Sequence, residues 1–196
     1  MRMNDLNIKV RGMARGFTTI IPIVSILGGF IFRESFGMFL GGFLLICDFI
    51  NHFVKKFFKW WYKKEGVDEL WLIGRGERPE GAKHCGSFIN EYDLNGKATS
   101  FGMPSGHSQM AVTVALMIII FLGNKYGGDA RNIIAMFIVA ILAIGILISR
   151  WWMGCHTWGQ IAVGSVFGII YGIIGWYVFK AIFLRDSGNT DVIEES

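Results

Sequence analysis

Long uncharged stretches alternate with short polar ones along this chain. Phe17–Phe32 is uncharged and carries Pro22 and the pair Gly28-Gly29. Phe36–Phe53 follows, broken near its end by Asp48, Asn51 and His52. Ser108–Asn124, Asn132–Ser149 and Trp158–Phe179 are three more uncharged runs. A helix needs about 20 apolar residues to cross a bilayer, with about 17 near the lower limit, so each run is a candidate crossing. Between the second and third runs lies the one large polar segment, residues 54–103. Its first part, Lys55–Lys64, interleaves lysines with Phe57, Phe58, Trp60, Trp61 and Tyr62. That mixture predicts an interfacial amphipathic helix within an aromatic belt. The expected fold is all-α: a polytopic membrane bundle of about five transmembrane helices plus that interfacial helix.

Composition agrees with this pattern. Of 196 residues, 53% are hydrophobic and 17% charged, and the mean hydropathy is +0.45. One membrane-embedded domain, residues 17–184, is expected. Residues 1–16 read as a polar, basic arm, and residues 185–196 as an acidic tail without a retrieval or lipidation signal. The first apolar run resembles a signal anchor, since no small-residue cleavage pattern precedes Arg33. A net charge of +4 spread over membrane-flanking segments gives no basic nucleic-acid surface, so no nucleic-acid partner is expected. Gly164, Gly168 and Gly172, followed by Gly175, and Gly37 with Gly41 have the small-residue spacing that lets helices approach closely, read here as packing within the chain. Oligomeric state is left open.

Counting crossings gathers the chemistry at one membrane face. His107 precedes the third run; two crossings later the chain is back at Arg150 and His156, and Arg78 reaches the same face without crossing. Arginine forks match phosphate oxygens and stay charged. Pro104-Ser105-Gly106 at the mouth of a helix adds a hydroxyl, approachable backbone N–H groups and the positive end of the helix dipole. Two histidines beside such an anion site can divide phosphoryl transfer, one as nucleophile and one as general acid. Gln160, four residues past His156, shares its face on a helix and can fix the imidazole tautomer. Asp48 reads as an ion-pair partner of Lys55, Lys56 and Lys59, His52 as structural, and His84 as an incidental loop histidine. Cys85 and Cys155 fall on the site face and can pair if that face is oxidising. No cluster has zinc spacing and no acidic group suits magnesium, so a metal-independent reaction without cofactor is expected.

These segments resemble the three motifs of the type 2 phosphatidic acid phosphatase superfamily. Its pattern is Lys, six residues, Arg-Pro; then Pro-Ser-Gly-His; then Ser-Arg, five residues, His, three residues, Asp. The second is intact at Pro104–His107, the third matches at Ser149, Arg150 and His156, and the first matches only at Arg78-Pro79. The resemblance implies phosphate binding by Arg78, Arg150, Ser105 and Gly106, with His107 as general acid and His156 as nucleophile. The family lysine falls at Trp71, for which Arg75, one turn before Arg78 if that segment is helical, is the candidate substitute, with Lys64 behind it. The family aspartate falls at Gln160. Residues His156–Gln160 and Gly102–Gln109 are most similar to the dolichyl diphosphatase branch.

The implied function is hydrolysis of a polyprenyl diphosphate through a phosphohistidine. Phosphatidate, or another lipid phosphate, is the alternative within the same chemistry, and a non-catalytic lipid-phosphate-binding membrane protein the alternative outside it. Fourteen of the nineteen basic residues lie on the site face by this count, which the positive-inside rule would call cytoplasmic. Phosphate chemistry itself selects arginine and lysine, and the resemblance implies a lumenal site in the endoplasmic reticulum membrane, the reading preferred here.

Overall fold

The computed structural model describes residues 3–83, 85 and 97–184. Among the described residues there are five helices: α1 (Met3–Phe32), α2 (Ser35–Glu65), α3 (Gly106–Tyr126), α4 (Ala130–Trp152) and α5 (Trp158–Phe183). An antiparallel ribbon, β1 (Glu69–Leu70) and β2 (Gly74–Arg75), follows α2. Four helices, α2 to α5, are long and apolar enough to cross a membrane; the apolar part of α1, Gly16–Phe32, is shorter. The chain is a helical integral-membrane bundle. His84 and residues 185–196 lie outside the described residues.

The expected interfacial helix is not a separate element. Lys55–Lys64 is the last part of α2, because no glycine or proline between Gly42 and Gly66 interrupts the helical ladder. Gly66 ends the helix in the left-handed region at φ 66°. Its N–H donates to the Lys63 carbonyl and that of Val67 to the Tyr62 carbonyl, a glycine closure that satisfies the last carbonyls. α1 likewise begins at Met3, so the polar arm continues into the first apolar run as one helix.

Helix α5 lies in close contact with α3 because its inward stripe is glycine. A Cβ at Gly164 would stand 2.5 Å from the Ser105 carbonyl oxygen, and one at Gly168 2.5 Å from that of Gln109. At Gly172 it would meet Leu116 at 2.8 Å. Gly41 serves the α1–α2 pair in the same way, 2.5 Å from the Pro22 carbonyl. Both stripes are therefore spent on packing within the chain. Close approach lets polar groups cross between helices: Thr113 Oγ1 donates to the Gly168 carbonyl at 3.1 Å and Gln109 Nε2 to the Cys47 carbonyl at 3.3 Å. Leu44, Met110, Met117 and Phe179 fill the space between α2, α3 and α5.

Helix α4 sits outermost. Arg150 is its one buried residue, while Ile134, Phe137, Ile141 and Leu142 are exposed, a surface suited to lipid. Of seven tryptophans, all but Trp176 belong to the end where α2 and α4 finish and α5 begins. Trp151 stacks on Trp158 there at 5.3 Å. Tryptophan favours the headgroup level, so this end, which includes the start of α3, lies at the bilayer surface.

Replacing Gly168 with leucine should lower the unfolding midpoint in mild detergent, since overpacking a tight contact costs on the order of 1–3 kcal/mol or more. Gly145→Leu on α4, where a Cβ meets nothing within 4 Å, should leave the midpoint nearly unchanged.

Candidate active site

Two helix N-termini build the site. Ser105 caps α3: its Oγ accepts the Ser108 N–H at 3.4 Å and the Ser108 hydroxyl at 2.8 Å. Gly106 and His107 open the helix immediately after it. Thr157 caps α5, its Oγ1 accepting the Gln160 N–H at 3.3 Å, while Gln160 Oε1 accepts the Thr157 N–H at 3.3 Å. That reciprocal pair is a capping box with glutamine at its third position. The caps are joined directly, because the Ser105 N–H donates to the Gln160 carbonyl at 3.1 Å.

His156 stands just before the α5 cap. The turn that delivers it folds back on α4: the N–H groups of Cys155 and His156 both donate to the Arg150 carbonyl, at 3.0 and 3.2 Å. His156 Nδ1 lies 3.0 Å from Gln160 Oε1, and its Nε2 lies 3.1 Å from Arg78 Nη1. An arginine only donates, so Nε2 carries the lone pair and Nδ1 the hydrogen that Gln160 accepts. The amide orientation of Gln160 is itself fixed: Nε2 donates to the backbone carbonyls of Arg75 at 2.8 Å and Glu77 at 2.6 Å, with Gly76 at 3.4 Å. A flipped amide would set its oxygen against those acceptors. Burial, then the positive charges of Arg78, Arg150, Lys55 and His107, hold the His156 imidazole well below the usual histidine pKa, so it is neutral at neutral pH.

Arg78 is held from three sides. Nε donates to the Ser100 carbonyl at 2.9 Å, Nη2 to Ser100 Oγ at 2.6 Å, and Nη1 to the Cys155 carbonyl at 3.1 Å. Arg150, with none of its surface exposed, donates through Nη2 to the Cys85 carbonyl at 2.6 Å. Cys85 and Cys155 form a disulfide, so each half-cystine presents its carbonyl to one arginine. The pairing expected for an oxidising face is present.

Arg78, Gly106, His107 and His156 line one cavity of about 80 Å³, against the roughly 10–15 Å³ that one water molecule requires by the same measure. Ser105, Arg150 and Gln160 do not line it themselves: Ser105 is the cap before Gly106, Arg150 is bonded to the Cys85 carbonyl, and Gln160 to His156. The one-face convergence argued from crossings thus takes physical form. Arg75 needs correcting. Its segment is strand β2 and not a helix, so it does not stack one turn before Arg78. Its exposed side chain lines a neighbouring groove with Lys59, Glu77 and Lys97; what it gives the site is its backbone carbonyl. Trp71, in the β1–β2 turn, is 96% exposed and does not line the cavity. Lys64, also exposed, stacks on Trp60.

Sequence reasoning missed the wall given by α2. Asp48, Asn51, His52 and Lys55 line the cavity together with Ser100. Their spacing of three, four and seven places them on one helical face; a polar stripe in an otherwise apolar run was the available signal. Among the described residues no group of three or more His, Cys, Asp and Glu is gathered as metal ligands would be.

The model of the PAP2 superfamily matches residues 36–183, and the chain belongs to that family. "Dolichyldiphosphatase 1" of Dictyostelium discoideum is 28% identical over 181 residues, covering 88% of this chain and 66% of that protein. "Lipid phosphate phosphatase gamma" of Arabidopsis thaliana is 28% identical over 187 residues, covering 91% and 70%. The chain thus spans about two thirds of the first relative's length. No solved structure matches it.

Two outcomes check this geometry. Gln160→Glu, although it restores an acid at the family position, should lower the unfolding midpoint, because a carboxylate has no hydrogen for the Arg75 and Glu77 carbonyls that the amide now serves, a loss of about 1–3 kcal/mol. Denatured protein should expose one alkylatable thiol, Cys47, before reduction and three after it, read by mass spectrometry.

Proposed function

We propose that the protein is an integral-membrane lipid phosphatase hydrolysing a polyprenyl diphosphate through a phosphohistidine. The observation that carries this reading is the chain Gln160–His156–Arg78: a neutral imidazole with its Nδ1–H held by an amide and its Nε2 lone pair facing a guanidinium at a cavity. His156 Nε2 attacks the terminal phosphorus, and the bond to the bridging oxygen breaks. His107 protonates that oxygen as it leaves. Water then attacks the phosphohistidine with His107 taking its proton, which releases inorganic phosphate and restores His156. Arg78 and Arg150, with the Ser105 hydroxyl and the N–H groups at the start of α3, bind and stabilise the negative charge spread over the phosphoryl oxygens. No step calls on a metal.

The polyprenyl reading draws on the Dictyostelium relative and on Gln160, whose amide does what a carboxylate in that place could not. The Arabidopsis relative favours a second substrate reading, a lipid monophosphate such as phosphatidate, by the same chemistry. The disulfide beside the site supports an oxidising, lumenal face in the endoplasmic reticulum over the cytoplasmic one indicated by charge counting.

Detergent-purified protein, with chelator present, should release phosphate from dolichyl diphosphate faster than from phosphatidate. His156→Ala should lose at least a thousandfold while unfolding at the wild-type midpoint; retained turnover would refute the nucleophile. His156 is the base whose protonation removes the nucleophile, and its pKa is lowered, so activity lost to that protonation falls away only below pH 6.5. A kcat/KM profile places that limb, and Arg78→Met, which removes a positive neighbour, should move it upward.

A further inference from the structure

The α2 wall of the cavity has no counterpart in the three motifs. Lys55 reaches the cavity from this wall and donates through Nζ to the carbonyl of Phe101 at 3.0 Å, beside Arg78, His107 and His156. One turn earlier on the same face, Asn51 is only 3% exposed, and its Oδ1 has no hydrogen-bond partner among the described residues. Its amide lies so close to Gly106 that a Cβ there would stand 2.6 Å from Asn51 Nδ2. Glycine at the first turn of α3 is therefore what admits this carboxamide to the anion site. A carboxamide can present either an acceptor or a donor to a ligand, and which atom is which is assigned from its partners.

The positions expected to carry a further cation lie elsewhere. Position 71 is a hairpin tip occupied by an exposed tryptophan, and the Arg75 side chain belongs to the neighbouring groove. A phosphoryl group with two or more negative charges would meet the guanidinium of Arg78 on one side of the cavity and α2 on the other.

We propose that Lys55 is a substrate-binding residue: its ammonium contacts the phosphoryl oxygens, with the Asn51 carboxamide beside it, so that α2 supplies the cation which the sequence pattern lacks at position 71. The inference rests on the proposed phosphoryl transfer and assigns the anion contact within it. Lysine suits the place, being a compact charge on a flexible stem that can hold the Phe101 carbonyl and still turn donors toward a ligand. The Phe101 carbonyl begins the stretch that leads to Ser105 and His107, so the same side chain ties α2 to the start of α3. Its positive charge also acts on His156.

The test separates charge from tethering. Lys55→Gln keeps a donor for the Phe101 carbonyl and removes the charge; Lys55→Arg keeps both; Arg75→Met removes the rival cation. Full-length protein in detergent is assayed for KM with dolichyl diphosphate, for inhibition by orthovanadate as a phosphoryl mimic, and for its unfolding midpoint. Lys55→Gln should weaken vanadate inhibition and raise KM about tenfold or more, the usual worth of a charge-assisted contact, at an unchanged midpoint. Lys55→Arg should recover most of the loss, and Arg75→Met should lose less than Lys55→Gln. Unchanged vanadate inhibition in Lys55→Gln, or a larger loss in Arg75→Met, would overturn the assignment. Either result, with His156→Ala still inactive, would leave the phosphatase reading standing; an active His156→Ala would remove that reading itself. If Lys55→Gln lowers the midpoint without weakening vanadate inhibition, Lys55 is a tether only and the proposal fails.

Discussion

The side-chain amide of Gln160 is the interaction on which the site depends. Its oxygen accepts from His156 Nδ1 and the Thr157 N–H, and its nitrogen donates to the carbonyls of residues 75–77, the residues leading into Arg78. One group therefore fixes the tautomer of one histidine, caps the helix that follows it, and pins the segment carrying the arginine opposite. A carboxylate could do the first two, but it has no hydrogen to offer a carbonyl. The neutral residue at this position follows from the backbone that surrounds it.

That backbone can crowd so tightly because the helices beneath it do. Gly164 rests on the Ser105 carbonyl and Gly102 on the Gln160 amide; a Cβ at 102 would stand 2.6 Å from Gln160 Nε2. Small residues bring the N-termini of α3 and α5 together, and the positive end of α3, at Gly106 and His107, then faces the cavity beside Arg78. The tryptophans of α2, α4 and α5 hold this end at the headgroup level, where a phosphate on a lipid tail is presented. The disulfide completes the wall by carrying the two carbonyls that aim Arg78 and Arg150.

Much of this was legible in the order of apolar and polar residues. Hydropathy marked the helices because a bilayer admits few alternatives, and crossing parity alone put Arg78, His107, Arg150 and His156 on one face. The glycine stripes foretold close packing. Arg75 was misplaced because the segment before Arg78 is a short hairpin, whose two-residue strands have no periodicity to read. The interfacial helix was separated from the second apolar run because hydropathy changes at Val54 while the helical ladder does not. Lys55 was absorbed into a basic, aromatic cluster that explains itself by lipid contact. Only the structure distinguishes it from Lys56, which lies over the Phe53 ring, and Lys59, which lines the neighbouring groove.

The proposed reaction turns on transfer of a phosphoryl group from a lipid to His156. The most direct measurement is rapid quenching of the enzyme turning over dolichyl diphosphate labelled in its terminal phosphate, followed by mapping of the bound label. Acid-labile, alkali-stable label is expected on the peptide containing His156 and absent from His156→Ala. Turnover with label on another residue, or with equal label bound to His156→Ala, would overturn the nucleophile assignment.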